Sequence, residues 1–204
     1  MVKAKICGIT NQDDAMKAVY AGAWAIGFVF YKKSPRYVSP SQARKIIEAL
    51  PPFVTPVGVF VNQNERAVKD ICRFTHITTA QFHGDEEPSY FKRLKEYKII
   101  KAFRVDDLFN VDSVLKYKVD AFLFDTYQEK NFGGTGKAFN WNLLQGRKFE
   151  KPIILSGGLT PENVQEAITV VNPYAVDVSS GVEKSPGIKD HQIMKSFLQK
   201  VTTL

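Results

Sequence analysis

Two residues that can exchange protons stand at the ends of apolar runs in this sequence. Cys7 closes AKIC just before Gly8, and Asp125 closes the run AFLF. A thiol, with a reference pKa of about 8.5, serves as a base once neighbouring positive charge lowers it, and a carboxyl serves as an acid once its surroundings raise it. One pocket that pushes two such groups apart can add a proton to an oxygen and remove one from a carbon, the usual demand of sugar-phosphate chemistry. Each residue also has a plainer reading. Cys7 fits a buried inert thiol, and Asp125 fits a cap for the loop that follows.

A second signal is SGGLTPEN, Ser156 to Asn163, directly after an apolar run. Gly157 and Gly158 let backbone approach a ligand closely, and Thr160-Pro161 reads as a helix cap and first-turn residue. The later segment DVSSGVE, Asp177 to Glu183, supplies another small, permissive turn at Ser180 and Gly181. Two such turns at one end of a sheet can hold a phosphate on backbone N–H groups and a helix N-terminus. Gln81, His83, Arg36 and Asp177 stand at other strand ends, where Arg36 is suited to grip a carboxylate with two hydrogen bonds. His76 and His191 have weaker claims, and Cys72 reads as packing. GGTGK, Gly133 to Lys137, is not a nucleotide loop, because Asn131 and Ala138 replace the required Gly and hydroxyl residue. Its glycines instead suggest that Thr126 to Phe139 forms a lid that excludes water.

These residues need a frame that brings distant strand ends together. Short β-branched and aromatic runs recur at AKICGI, AWAIGFVF, PVGVFV, ITTAQF, IIKAF, DAFLF, PIILS and YAVDVS. Helical signals lie between and after them: Asn11 or Asp13 onward, Ser39-Pro40 onward, Asn64 to Phe74, Glu87 to Tyr97, Leu108 to Tyr117, Asn140 to Gln145, Pro161 to Val171 and Asp190 to Val201. Strand followed by helix, eight times, predicts an α/β chain with a parallel sheet. Lys3, Lys5 and Cys7 share a parity that turns them toward a common interior, which favours a closed (β/α)₈ TIM barrel over an open sheet. No GxGxxG follows the first strand, so a dinucleotide fold lacks its fingerprint. The prediction is one barrel domain over residues 1–204.

Lys and Arg outnumber Asp and Glu by 28 to 21, a balance that suits a phosphorylated small molecule. The basic residues are interleaved with acidic ones, so a nucleic-acid face is not expected. The two cysteines form no metal or disulfide pattern, and no long uncharged apolar run occurs. The expectation is a cytoplasmic protein with no metal site and no membrane partner.

Seven blocks in order then carry a resemblance: KICGIT, GFVFYKKSPRYVSP, VGVFVN, QFHGDE, FDTYQEKNFGGTGKAFNW, LSGGLTPENV and VDVSSGVEKSPGIKD. The chain is similar to the phosphoribosylanthranilate isomerase family of the tryptophan pathway over essentially its whole length. The resemblance implies an Amadori rearrangement of N-(5-phosphoribosyl)anthranilate without a cofactor. On it, Cys7 falls on the base, Asp125 on the acid and Arg36 on the carboxylate-binding residue. Gly157, Gly158, Ser180 and Gly181 fall on the phosphate site. Phe82 stands where the family usually has Leu. The family contains monomers and dimers, and Phe28, Phe30, Tyr31 and Phe53 suggest apolar surface for a homodimer. Competing readings are the histidine-pathway isomerase, a dual-substrate enzyme, and a sugar-phosphate-binding barrel without activity. The first needs a second phosphate turn in the first half, where only VNQNE and HGDEE stand.

Overall fold

The computed structural model of the chain describes residues 1–106, 108–126 and 140–203. Eight parallel strands close into a barrel in chain order. They are β1 (Lys3–Cys7), β2 (Ala25–Val29), β3 (Thr55–Phe60), β4 (Thr79–Phe82), β5 (Lys98–Val105), β6 (Ala121–Thr126), β7 (Ile153–Leu155) and β8 (Ala175–Val178). Closure comes from β8 pairing with β1, with Lys5 opposite Asp177. Both strand faces are covered, so the strands read as nearly continuous apolar runs. Inward positions such as Val57, Ile100, Leu123 and Ile154 fill the barrel itself.

The helices α1 (Gln12–Tyr20), α2 (Pro40–Glu48), α3 (Glu65–Thr75), α4 (Val164–Val171) and α5 (His191–Thr202) wrap part of the barrel. Their starts follow the predicted chemistry. Asn11, Ser39, Asn64 and Asp190 each accept a hydrogen bond from a first-turn backbone N–H, with Pro40 at the first helical position of α2.

Three predicted helices are instead short 3₁₀ turns: Pro88–Arg93, Val111–Lys116 and Trp141–Leu143. Their inward-facing residues recur every third position, as in Phe91, Leu94 and Tyr97 or Val111, Val114 and Tyr117. A three-residue period suits i→i+3 turns, and it does not build the broad apolar face of an α-helix. Aromatic rings fill the layer these turns leave thin. Phe82 packs edge-on against Tyr90 and Phe91, and Phe103 against Tyr117 and Phe122. Phe82 also stacks on Phe60, which in turn stacks on Phe30. The aromatic ring at position 82 therefore belongs to a continuous band. α4 also starts later than predicted, because Asn163 folds back: its Oδ1 accepts from Thr160 N–H and its Nδ2 donates to the Gly158 carbonyl.

The proposed dimer surface needs correction. Phe28 and Phe30 are buried between barrel and helices, whereas Phe53 is 94% exposed near the N-terminal ends of the strands. Between β8 and α5 the chain makes a small antiparallel hairpin, β9 (Glu183–Ser185) and β10 (Ile188–Lys189).

Candidate active site

A pocket opens at the C-terminal ends of the strands, where barrel enzymes place their chemistry. All the site residues picked from the sequence border it: Cys7, Arg36, Gln81, His83 and Asp125, together with Asp177 and the turn residues Gly157, Gly158, Ser180 and Gly181. The lid expected over Thr126 to Phe139, with its GGTGK segment, lies outside the described residues except for Thr126 at the end of β6.

Cys7 and Lys5 are successive inward residues of β1, and both are buried. Lys5 Nζ lies 2.9 Å from each carboxylate oxygen of Asp177. A Cβ added at Gly27, across the β1–β2 pairing, would lie 2.8 Å from Cys7 Sγ and 3.0 Å from Lys5 Nζ, so glycine keeps this corner open for the thiol and the ammonium. Burial pushes the Cys7 thiol above its ordinary range, Lys5 pulls it down and Asp177 pushes it up. Burial also works against the charge on Lys5, but Asp177 and Cys7 together hold its pKa above the usual lysine value. Burial and Asp125 push the Asp177 carboxyl up and Lys5 pulls it down, with the net direction upward. Its two short contacts to one ammonium have the geometry of a charge-assisted pair.

Asp125 is buried at the end of β6, and its Oδ1 accepts the N–H of Thr126. Its Oδ2 lies 3.0 Å from His83 Nε2, though off the hydrogen-bond axis. Gln81 Nε2 lies 3.4 Å from the other ring nitrogen of His83. Gln81 Oε1, Ser179 Oγ and Thr126 Oγ1 are buried with no hydrogen-bond partner among the described residues. Buried polar atoms without partners are costly, and at a pocket wall they suit a ligand.

The two small turns are packed into one unit. Gly157 and Gly158 have φ of 88° and 65°, a conformation that disfavours side chains. A Cβ at Gly157 would lie 2.4 Å from the Thr126 nitrogen, and one at Gly181 only 1.9 Å from the Leu159 carbonyl oxygen. Among the described residues the N–H groups of Gly158, Ser180 and Gly181 have no acceptor. Such a cluster of backbone donors is what an anion requires.

Arg36 is held by Glu183 at the pocket edge, through Nε to Oε1 at 2.9 Å and Nη2 to Oε2 at 2.6 Å. Lys189, fully buried, donates to Glu183, to the Cys7 carbonyl and to the Ser179 carbonyl.

The family model for N-(5′-phosphoribosyl)anthranilate (PRA) isomerase matches residues 4–200. The chain belongs to this isomerase family. It is 50% identical to the N-(5′-phosphoribosyl)anthranilate isomerase of Geobacter metallireducens, covering 98% of each chain. The crystal structure of phosphoribosyl anthranilate isomerase from Thermotoga maritima superposes with a TM-score of 0.94 at 45% identity, covering all of both chains. A structure of phosphoribosyl anthranilate isomerase in complex with reduced 1-(o-carboxyphenylamino)-1-deoxyribulose 5-phosphate is similar at a TM-score of 0.89 and 43% identity, again over all of both chains.

Sequence reasoning alone misses Lys5, Ser179, Glu183 and Lys189 as site residues. The alternation of KAKIC turns Lys5 the same way as Cys7, and that is the usable signal. Glu183 and Lys189 come to Arg36 only through the hairpin, and nothing in the local sequence marks that contact.

Proposed function

We propose that this chain converts N-(5′-phosphoribosyl)anthranilate to 1-(o-carboxyphenylamino)-1-deoxyribulose 5-phosphate by general acid–base catalysis, with Asp125 as acid and Cys7 as base. The reaction is a step of tryptophan biosynthesis. The observation that carries the reading is the order of groups around the rim. Asp125 is the last residue but one of β6, the two glycine turns follow β7 and β8, and Cys7 ends β1, so the anion cradle lies between acid and base.

A substrate whose phosphate rests on Gly157, Gly158, Ser180 and Gly181 presents its ribose to both groups. Asp125 protonates the ring oxygen, and the ring opens to a Schiff base. Cys7 removes the proton from C2′, and the resulting enolamine tautomerises to the ketone. Positioning two proton-transfer groups around one carbon skeleton needs no cofactor. Arg36 receives the anthranilate carboxylate. Gln81, His83 and Asp177 complete the polar wall, with Asp177 acting through Lys5.

The histidine-pathway reading needs a second anion cradle beyond β3 and β4. There Glu86 and Asp85 stand, engaged by Lys101 and Arg104 respectively. Carboxylates at that end oppose a second phosphate. A binding-only barrel is disfavoured because the proton-transfer groups share the pocket with the cradle.

The partners are then a phosphorylated small molecule and, in a homodimer, a second copy; the alternative is a monomer. Both cysteines are free thiols, which supports a cytoplasmic setting, and among the described residues no helix is long and apolar enough to cross a membrane. The direct test mixes purified protein with freshly generated phosphoribosylanthranilate, in chelator and without cofactors, and follows its fluorescence. Rapid conversion is expected. Fluorescence that decays no faster than without protein refutes the proposal.

A further inference from the structure

We propose that Glu183 is a positioning residue that fixes Arg36 for a carboxylate-bearing substrate, and that Lys189 ties this brace to the backbone at Cys7. The inference rests on the reading of Arg36 as the carboxylate clamp.

A guanidinium has two edges that can meet a carboxylate through paired hydrogen bonds, one formed by Nε and Nη2 and one by Nη1 and Nη2. Glu183 takes the first edge completely. The second edge remains for another carboxylate, and Arg36 borders the pocket. Without Glu183 the long side chain would lose its anchor and could turn either edge inward. The stem is guided too. A Cβ at Gly8 would lie 2.7 Å from Arg36 Cδ, so the residue after Cys7 must be small for Arg36 to pass across it.

Lys189 supplies the other end of the brace. Its three ammonium donors meet three acceptors: the Cys7 carbonyl at 2.6 Å, the Ser179 carbonyl at 3.2 Å and Glu183 Oε1 at 2.8 Å. One buried cation thus joins the ends of β1 and β8 to the carboxylate that holds Arg36. With Arg36 and Lys189 protonated and Glu183 ionised, the trio sums to one positive charge, which a single substrate carboxylate balances. Burial works against the charge on Glu183, yet its bonds to Arg36 and Lys189 keep its carboxyl below the usual range.

The test compares Glu183→Gln, Arg36→Met and the double variant on phosphoribosylanthranilate and on the phosphoribosyl derivative of aniline, which lacks the carboxylate. With the carboxylate present, Glu183→Gln should raise KM at least about fivefold and leave kcat within about twofold, the pattern of lost ground-state binding. On the aniline derivative it should leave KM unchanged. The double variant should be no worse than Arg36→Met alone, since a brace has nothing left to hold. A general structural role predicts equal losses on both substrates and additive effects, and either result overturns the proposal. If Arg36→Met itself leaves KM unchanged, it is the clamp reading that fails; if Arg36→Met raises KM and Glu183→Gln does not, only the brace fails. Should Glu183→Gln not fold, Glu183→Asp keeps the charge beside Lys189 and shortens the reach to Arg36. A raised KM confined to the carboxylate substrate then supports the brace, and an unchanged KM overturns it.

Discussion

The Lys5 ammonium bridges both oxygens of Asp177 at 2.9 Å, one inward position below Cys7. Charge at the floor of the pocket therefore acts on the thiol from two sides. Burial and Asp177 raise the Cys7 pKa and Lys5 lowers it, with the net direction upward. The proposed base acts as its thiolate, so the Cys7 pKa sets one limb of the kcat/KM–pH profile. Lys5→Met removes the lowering charge and should move that limb to higher pH. Asp177→Asn removes the raising charge and should move it to lower pH. Rate profiles of both variants, taken on samples whose melting curves show folded protein, check this; displacement in the same direction contradicts it.

Cys7→Ala and Asp125→Asn should each reduce kcat by at least about a hundredfold, the scale of general acid–base groups. Single-turnover measurements separate this loss from slow product release. Near-normal turnover in either variant removes that residue from its assigned role.

Gly181→Ala places a Cβ 1.9 Å from the Leu159 carbonyl oxygen, so the two turns must part. A shift on the order of an ångström in a positioning element can cost about a hundredfold in kcat/KM. Inorganic phosphate, used as a competitive inhibitor, should weaken in parallel. Inhibition by phosphate equal to that of the unaltered protein would show that these turns do not hold the phosphate.

Lys101 and Glu86 form a buried ion pair at 3.0 Å on the β4–β5 side, away from Cys7. Glu86 also accepts the N–H groups of Asn62 and Gly84, and Lys101 donates to the Gly84 carbonyl. Removing one partner, as in Lys101→Met, should cost about 3–5 kcal/mol of stability, because it leaves a buried charge unpaired. Denaturant unfolding measures it. A loss below about 1 kcal/mol shows that water or rearrangement satisfies Glu86.

Much of this was legible in the chain. The strands were readable because parallel strands covered on both faces are short apolar runs, and the polar parity of KAKIC indicated an interior. The glycines after β7 and β8 marked their turns because few other residues tolerate that backbone. The 3₁₀ segments read as helices in the sequence because both patterns mix apolar and charged residues over similar lengths, and only the three-residue spacing of Val111, Val114 and Tyr117 separates them. Phe28 and Phe30 do not form surface, because strand parity turns them outward from the barrel into the layer the helices cover. Glu183 stayed hidden because its meaning depends on Arg36, far away in the sequence and reached only through tertiary structure.

The hairpin between β8 and α5 stands outside the barrel wall, yet it carries both Glu183 and Lys189. The glycine turns, by contrast, are continuations of barrel strands. On the proposed assignment the phosphate cradle comes with the scaffold, whereas the carboxylate clamp, Arg36 in the loop after β2, takes its brace from an appendage grafted onto that scaffold. Exchanging the hairpin in a related barrel offers a route to a new aglycone preference while the phosphate anchor stays in place.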